Sequence, residues 1–190
     1  VVHDLRQIGF LVVDGLASDA VTALAARSDI RGVAPDITAQ WIPPASEFMG
    51  DRVQIPAGAA GGVTQGTDQS GAFFFPIQWN IRQIRADQAY APTPTGAGAL
   101  VCVLDSGIDP GQCDMTGKVD LQTRTTFIAS ERFIEDLNGH GTFVAGIVSS
   151  NGLGVASVAP DATLCAVKVL DFTGSGPLGG VLAGLVHAAD

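Results

Sequence analysis

Hydrophobic positions in the first part of the chain alternate between strand-like runs and one helix-like stretch. The run IGFLVV has the length of a strand, and the apolar residues of DAVTALAAR follow the spacing of a helix face. Ser18 stands where it can cap that helix, and an extended pattern returns in IRGVAPDITAQWI. Residues 1–43 therefore predict a strand–helix–strand unit, which is too small to bury a stable core by itself.

The pattern changes twice more along the chain. Residues 44–77 contain GAAGGVTQGTDQSGA, which has no periodicity and is typical of a flexible linker or exposed loop. From 78 onward, short helices alternate with continuous apolar runs of the kind found in strands buried on both faces. The predicted elements are a helix within 79–90, a strand at 99–105, a helix at 142–150, a strand at 162–171 and a helix at 176–189. This alternation predicts an α/β fold with a mostly parallel sheet.

Composition excludes several classes of function. The 190 residues carry a formal net charge of −9 without a Lys/Arg cluster, so we expect no nucleic-acid partner. No apolar run approaches the roughly 18–20 residues that span a bilayer, so we expect no membrane partner. Three cysteines occur without C-x-x-C spacing, which argues against a zinc site. Buried free thiols are the expectation for Cys102 and Cys165, while a single disulfide that could include Cys113 stays open.

Two side chains are candidates for chemistry. Asp105 closes the predicted strand in VLDSG, and His140 opens the predicted helix in NGHGTFVAG. Either residue alone fits a structural role, the carboxylate in a turn and the imidazole as a turn donor. Together they form the pair that a histidine base oriented by a buried acid requires.

Two other kinds of site compete with this pair as interpretations of the sequence. Several aspartates lie near His140, and a hard-metal site could be drawn from Asp105, Asp109, Asp114, Asp120 and Asp136. Their spacing matches no EF-hand and no H-E-x-x-H motif occurs, so we expect no catalytic metal. Gly174, Gly176 and Gly179 satisfy G-x-G-x-x-G between a strand and a helix, which is the context of a dinucleotide site. Against it, Asp-Phe-Thr separates the strand from the first glycine.

Three motifs in order resemble the subtilisin-like serine proteases. VLDSGID and NGHGTFVAG resemble the aspartate and histidine signatures of that family, and ASVAPDATLCAVKVLDFTGSG resembles the segment that follows them. The resemblance covers about 78–190 and implies a subtilisin-like, mostly parallel sheet with flanking helices, incomplete in this chain. It implies His140 as general base and Asp105 as the group that holds its tautomer. It further implies an extended substrate-binding edge at Gly174, Ser175 and Gly176, with Leu178 lining an apolar pocket.

The earlier segments also resemble parts of the same family. Residues 1–43 are similar to the end of its inhibitory propeptide, a partial α+β unit, and 44–77 fall at the junction that is cut during maturation. The resemblance thus implies polypeptide substrates, the chain's own propeptide as an intramolecular inhibitor, and a secreted protein. It implies no catalytic cofactor. A structural calcium ion occurs in some relatives, but the loop SSNGLGVASVAP is short for that role and puts a site at Asp114 in doubt.

One departure concerns activity. The serine of the family lies in a G-T-S-x-A motif, and none of the ten serines of this chain stands in one. The resemblance therefore covers the first half of a catalytic domain, with acid and base but without nucleophile or oxyanion asparagine. We therefore predict a serine endopeptidase, and we expect the 190-residue chain by itself to be inactive. A non-catalytic inhibitor or chaperone-like short form and a dinucleotide-binding domain are the alternatives.

Overall fold

The N-terminal part of the protein is a small α+β unit. In the computed structural model, which describes residues 2–44, 47, 68–90 and 95–190, an antiparallel hairpin pairs strand β1 (His3–Leu5) with β2 (Phe10–Val12). Helix α1 (Ser18–Ala25) and strand β3 (Thr38–Gln40) follow. The predicted strand and helix are present, but Ser18 is the first helical residue rather than the cap. The cap position is Ala17, which gives no side-chain hydrogen bond.

A three-stranded parallel sheet forms the centre of the larger part. Strand β4 (Leu100–Asp105) pairs in register with β6 (Thr163–Lys168), and the short β5 (Thr125–Thr126) lies on the other side of β6. The described residues add helices α2 (Trp79–Gln83), α3 (His140–Val148) and α4 (Leu178–Ala189), and strand β7 (Ser175–Pro177). The fold is therefore α/β with a parallel sheet, as the alternation of apolar runs predicts.

Both faces of the sheet are covered. On one face Val103, Leu164 and Ala166 pack with Ala145 of α3. On the other face a second apolar cluster is formed by Cys165, Val167, Val169 and Leu170 with Val181 of α4. Helix α4 approaches the sheet so closely that a Cβ on Gly184 would lie 2.6 Å from Cγ1 of Val169. Burial on both faces explains why these strands are continuous apolar runs.

The three cysteines are free thiols. Cys102 and Cys165 are register partners on adjacent strands, with Cys165 buried and Cys102 half-buried. Burial, with a smaller contribution from Cys165, raises the pKa of Cys102 to about 12. Cys113 is exposed.

Most of the predicted linker (45–46 and 48–67) lies outside the described residues, and within its described end, 68–77, the side chains of Gln69 and Ala72 are buried. Gln69 is only 1% exposed, and its side-chain oxygen accepts hydrogen bonds from the backbone N–H and hydroxyl of Ser157 at 2.7 and 2.9 Å. Its amide nitrogen donates to the Ser150 carbonyl at 2.7 Å. This polar side chain is buried because it satisfies the backbone of the loop after α3, a pairing that local composition does not reveal.

Asp114 secures the same loop. Its carboxylate is buried and accepts the backbone N–H groups of Leu153, Gly154 and Val155 at 2.7, 2.9 and 3.1 Å. A cation site needs oxygens that face one another, whereas these oxygens face N–H donors. The described residues contain no group of three or more His, Cys, Asp or Glu side chains that could hold a metal ion. Because the Asp114 oxygens accept three backbone N–H groups, their arrangement does not fit calcium.

None of the described helices is long and apolar enough to cross a bilayer.

Replacing Asp114 tests this role. Asp114→Ala leaves three backbone donors without their acceptor, at a cost of about 1–3 kcal/mol for each donor that water does not reach. Asp114→Asn retains one acceptor oxygen and should lose less. Urea unfolding of both variants measures the difference, and a chelator should leave the melting temperature of the parent chain unchanged. A rise in melting temperature with Ca²⁺ that Asp114→Ala abolishes would contradict this interpretation.

Candidate active site

The structure brings Asp105 and His140 together. Asp105 is the last residue of β4, and His140 is the first residue of α3, after Gly139 with φ +100°. Both carboxylate oxygens of Asp105 lie 2.9 Å from Nδ1 of His140. The aspartate side chain is 10% exposed and the histidine side chain 29% exposed. The acid is thus shielded while part of the imidazole stays accessible.

Ser106 holds the Asp105 carboxylate in place. Its backbone N–H donates to Oδ1 of Asp105 at 2.7 Å, and its fully buried hydroxyl lies 3.2 Å from the same oxygen. A hydroxyl has one proton. The hydroxyl donates this proton in its shorter contact, 2.8 Å to Oδ1 of Asp136. The hydroxyl oxygen accepts the N–H of Gly141 at 3.0 Å. Ser106 therefore links the strand end to the helix start.

Asp136 caps helix α3. Its carboxylate accepts the backbone N–H groups of Asn138, Gly139 and Thr142 at 3.0, 2.8 and 2.8 Å, and the Thr142 hydroxyl at 2.8 Å. The N–H groups of Gly139 and Thr142 are among those that the start of a helix leaves unpaired, and negative charge is favourable there. Sequence reasoning grouped Asp136 with metal candidates and did not single out Ser106. An Asp shortly before a predicted helix was the available signal for the cap.

Two glycines permit the close approach of α3 to the strand end. A Cβ on Gly141 would lie 2.1 Å from the carbonyl oxygen of Gly107 and 3.1 Å from Cβ of Asp105. Gly107 itself has φ +114°, and a Cβ there would lie 2.2 Å from the carbonyl oxygen of Ile134. Any side chain at Gly141 would therefore push His140 away from its acid.

A sharp turn leads from the sheet to the predicted substrate edge. The Asp171 carboxylate accepts the N–H groups of Thr173 and Ser175 at 2.8 and 3.0 Å and the Thr173 hydroxyl at 2.6 Å. Burial opposes ionisation of Asp171, but these hydrogen bonds outweigh it and the pKa of that carboxyl is lowered. Gly174, with φ +83°, completes the turn, and strand β7 follows.

Strand β3 of the N-terminal unit occupies this edge. It pairs antiparallel with β7, Ala39 opposite Gly176 and Gln40 opposite Ser175. Trp41 extends the pairing, because its backbone N–H donates to the carbonyl of Gly174 at 2.9 Å and its indole N–H to the carbonyl of Gly176 at 3.0 Å.

The N-terminal unit also reaches the start of helix α4. Oδ1 of Asp36 accepts the N–H of Gly179 at 2.8 Å. Leu178, the first residue of that helix, is 37% exposed, and its N–H donates to the carbonyl of Ile37 at 2.9 Å. The glycines of the G-x-G-x-x-G motif thus contact a peptide chain, and strand β6 ends at Lys168, well before Gly174.

A parallel sheet with an aspartate at a strand end, hydrogen-bonded to a histidine at a helix start, defines an α/β protein with a paired acid and base. Residues 96–188, just under half of the chain, match the model of the Subtilase family. This agrees with the resemblance of the three motifs.

Several known proteases are similar to the chain. Alkaline elastase YaB from Bacillus sp. (strain YaB) is 40% identical over 118 residues, covering 60% of this chain and 29% of the relative. Thermitase from Thermoactinomyces vulgaris is 36% identical over 121 residues, covering 62% and 42%. A thermostable alkaline protease from Halalkalibacterium halodurans is 43% identical over 116 residues, covering 59% and 30%. The chain spans less than half the length of each of these relatives.

Substitution of Gly141, with Gly146 of the same helix as control, tests the close approach of α3 to the end of strand β4. Gly141→Ala forces the backbone contact apart, and we expect it to destabilise the protein by about 1–3 kcal/mol and to lengthen the contact between His140 and Asp105. Gly146→Ala in the same helix is the control, because its Cβ would meet Val155 at an ordinary 3.4 Å. Thermal unfolding and the histidine NMR spectrum measure both effects. Equal tolerance of the two substitutions would contradict the role of Gly141.

Proposed function

We propose that this chain supplies the acid and base of a serine endopeptidase, with His140 as general base and Asp105 as its orienting acid. The observation that carries the proposal is the placement of both Asp105 carboxylate oxygens 2.9 Å from Nδ1 of His140. A proton on Nδ1 leaves Nε2 unprotonated and able to accept a proton from a nucleophile. The match of residues 96–188 to the model of the Subtilase family supports the same reaction.

The position of His140 makes the carboxylate necessary. A helix N-terminus disfavours the imidazolium that forms during general-base catalysis, and a nearby negative charge offsets that cost. Asp105 supplies this charge. Asp136 accepts N–H groups at the start of the same helix. His140 would take the proton of a serine hydroxyl and return it to the leaving amine of the peptide.

The nucleophile does not come from the serine nearest this pair in sequence. The hydroxyl of Ser106 is fully buried, donates to Asp136 and accepts from Gly141. The family's nucleophile lies in G-T-S-x-A, which this sequence does not contain. The complete catalytic group is therefore proposed only for a protein in which this segment occurs together with that motif.

Polypeptide substrates fit the edge formed by Gly174, Ser175 and Gly176. A peptide that adds a strand to a sheet edge is held by main-chain hydrogen bonds, which depend little on its sequence. The antiparallel pairing of β3 with β7 supports this interpretation, because a peptide segment is already bound there in that manner. Leu178 stands half-exposed at the end of the edge and would contact a substrate side chain.

The N-terminal unit would act as the intramolecular inhibitor of this edge. Residues 38–41 use the carbonyls of Gly174 and Gly176 that a substrate would need, so both cannot bind at once. We propose that residues 1–43 are the end of a propeptide and that maturation cuts within 44–77. We also propose a secreted protein, since a similar protease from Bacillus subtilis, 37% identical over 65% of this chain, is named an extracellular protease.

Activity tests the catalytic proposal. In the whole protein that carries this segment, His140→Ala and Asp105→Asn should each lower kcat on a peptide anilide by about 10⁴-fold or more. His187→Ala is the control, since that histidine contacts the carbonyl of Thr123 instead. The 190-residue chain alone should give no turnover and no reaction with a fluorophosphonate. Turnover by this chain that His140→Ala abolishes would contradict the placement of the nucleophile.

Amide hydrogen exchange tests the inhibitory contact. Trp41→Phe removes the indole donor while keeping an aromatic ring, and the loss of about 1 kcal/mol should speed exchange at the backbone N–H of position 41 and at that of Leu178 roughly fivefold. Trp79→Phe is the matched control, because Trp79 is 69% exposed. Added residues 1–44 should also inhibit an active subtilase in trans. Unchanged exchange in Trp41→Phe would count against this contact as the inhibitory one.

A further inference from the structure

A buried lysine lies next to the proposed catalytic pair and has no part in the mechanism given above. Lys168 is the last residue of β6 and the register partner of Asp105, and its relative exposure is 0%. A buried ammonium group is costly unless charges and hydrogen bonds compensate it. Its contacts therefore indicate what it is retained for.

Three groups surround the Lys168 ammonium. Nζ donates to the carbonyl oxygen of Ser106 and, at 3.0 Å, to that of Glu135. It also lies 2.8 Å from Oε2 of Glu131, whose side chain is 7% exposed. Among the described residues that oxygen receives no aligned hydrogen bond, so the Glu131 contact is an ion pair held by charge. The ring of Phe133 lies 5.8 Å away and covers the group.

The two carbonyls belong to the segments that carry the acid and the helix cap. Ser106 directly follows Asp105 and donates its N–H to that carboxylate at 2.7 Å. Glu135 directly precedes Asp136, which caps the helix that begins at His140. One ammonium group therefore joins the strand-end turn of Asp105 to the loop that sets the start of helix α3.

The ion-pair partner extends the connection to the substrate edge. Oε1 of Glu131 accepts the N–H of Phe172 at 2.9 Å. The carbonyl of Phe172 in turn accepts the side-chain amide of Asn138 at 3.1 Å, two residues before His140. The turn of residues 171–174 that leads into β7 is thus tied to the same buried charges.

We propose that Lys168 is a positioning residue for the Asp105–His140 pair, acting through the carbonyls of Ser106 and Glu135. The proposal rests on the function proposed above, in which that pair is the acid and base. Apolar side chains of similar volume would avoid the cost of burying two charges. They would leave the Ser106 and Glu135 carbonyls without a shared donor and the two segments without a fixed separation.

The experiment reads the hydrogen bond between His140 and Asp105 directly. The 190-residue chain is labelled with ¹⁵N-histidine, and the low-field proton signal of the His140 Nδ1–H is followed at one pH. Asp105→Asn identifies the signal that depends on the carboxylate, and His3 and His187 serve as internal references. In Lys168→Met we expect that signal to shift upfield or to be lost through exchange with water, with both references unchanged.

A second lysine provides the matched control. Nζ of Lys118 donates to the carbonyl of Pro160, and burial lowers the pKa of this lysine. Lys118→Met also removes an ammonium group from a backbone carbonyl, but should leave the His140 signal in place. If both variants lose the signal, or neither does, Lys168 is structural only and the proposal is overturned. If Asp105→Asn leaves every signal unmoved, the acid–base pairing itself fails.

Loss of folding in Lys168→Met would not end the test. Lys168→Met combined with Glu131→Leu removes both charges and leaves no unpaired ion, a replacement that buried ion pairs often tolerate. The folded double variant should still lose or shift the His140 signal, since both carbonyls lack their donor. A double variant that melts like the parent chain and keeps the signal unchanged would overturn the proposal.

Discussion

The in-register parallel pairing of β4 with β6 is the constraint on which the rest of the structure depends. It ends both strands at the same edge, where Asp105 stands opposite Lys168 and the Asp105 carbonyl accepts the N–H of Val169 at 2.9 Å. Functional side chains of parallel sheets gather at this edge because the connections begin there. A register shift of one residue would reverse which face each side chain occupies and would separate the acid from His140.

Polar groups, rather than apolar packing, set the geometry at that edge. The Asp136 carboxylate gathers the N–H groups at the start of α3, and the hydroxyl of Ser106 joins it to the turn after Asp105. Gly141 lies so close to the Gly107 carbonyl that there is no space between them for a side chain. A buried polar group left without its partner costs free energy, so each of these bonds favours one arrangement of His140 over its alternatives.

Sequence reasoning predicted the parts of the fold that depend on local pattern. The apolar runs ending at Asp105 and preceding Asp171 contain β4 and β6, and the helix predicted at 142–150 is present but begins two residues earlier, at His140. Strand β5 was missed because Thr125–Thr126 is too short for periodicity. The residue pattern did not predict strand β7, because its partner β3 lies more than a hundred residues earlier in the chain. Only the family resemblance implied an extended edge there, at Gly174, Ser175 and Gly176. The burial of Gln69 and Lys168 was missed because tertiary partners alone make it favourable.

The pairing of β3 with β7 would combine the proposed inhibition with protection of a strand edge. An unpaired strand edge is a template for association with any extended chain. The same carbonyls of Gly174 and Gly176 that would bind a substrate are therefore exposed to unwanted pairing unless another segment covers them. A covering segment that remains attached to the chain pays little entropy to bind, because its effective concentration is high. Release of β3 is then the step that would open the edge to a substrate.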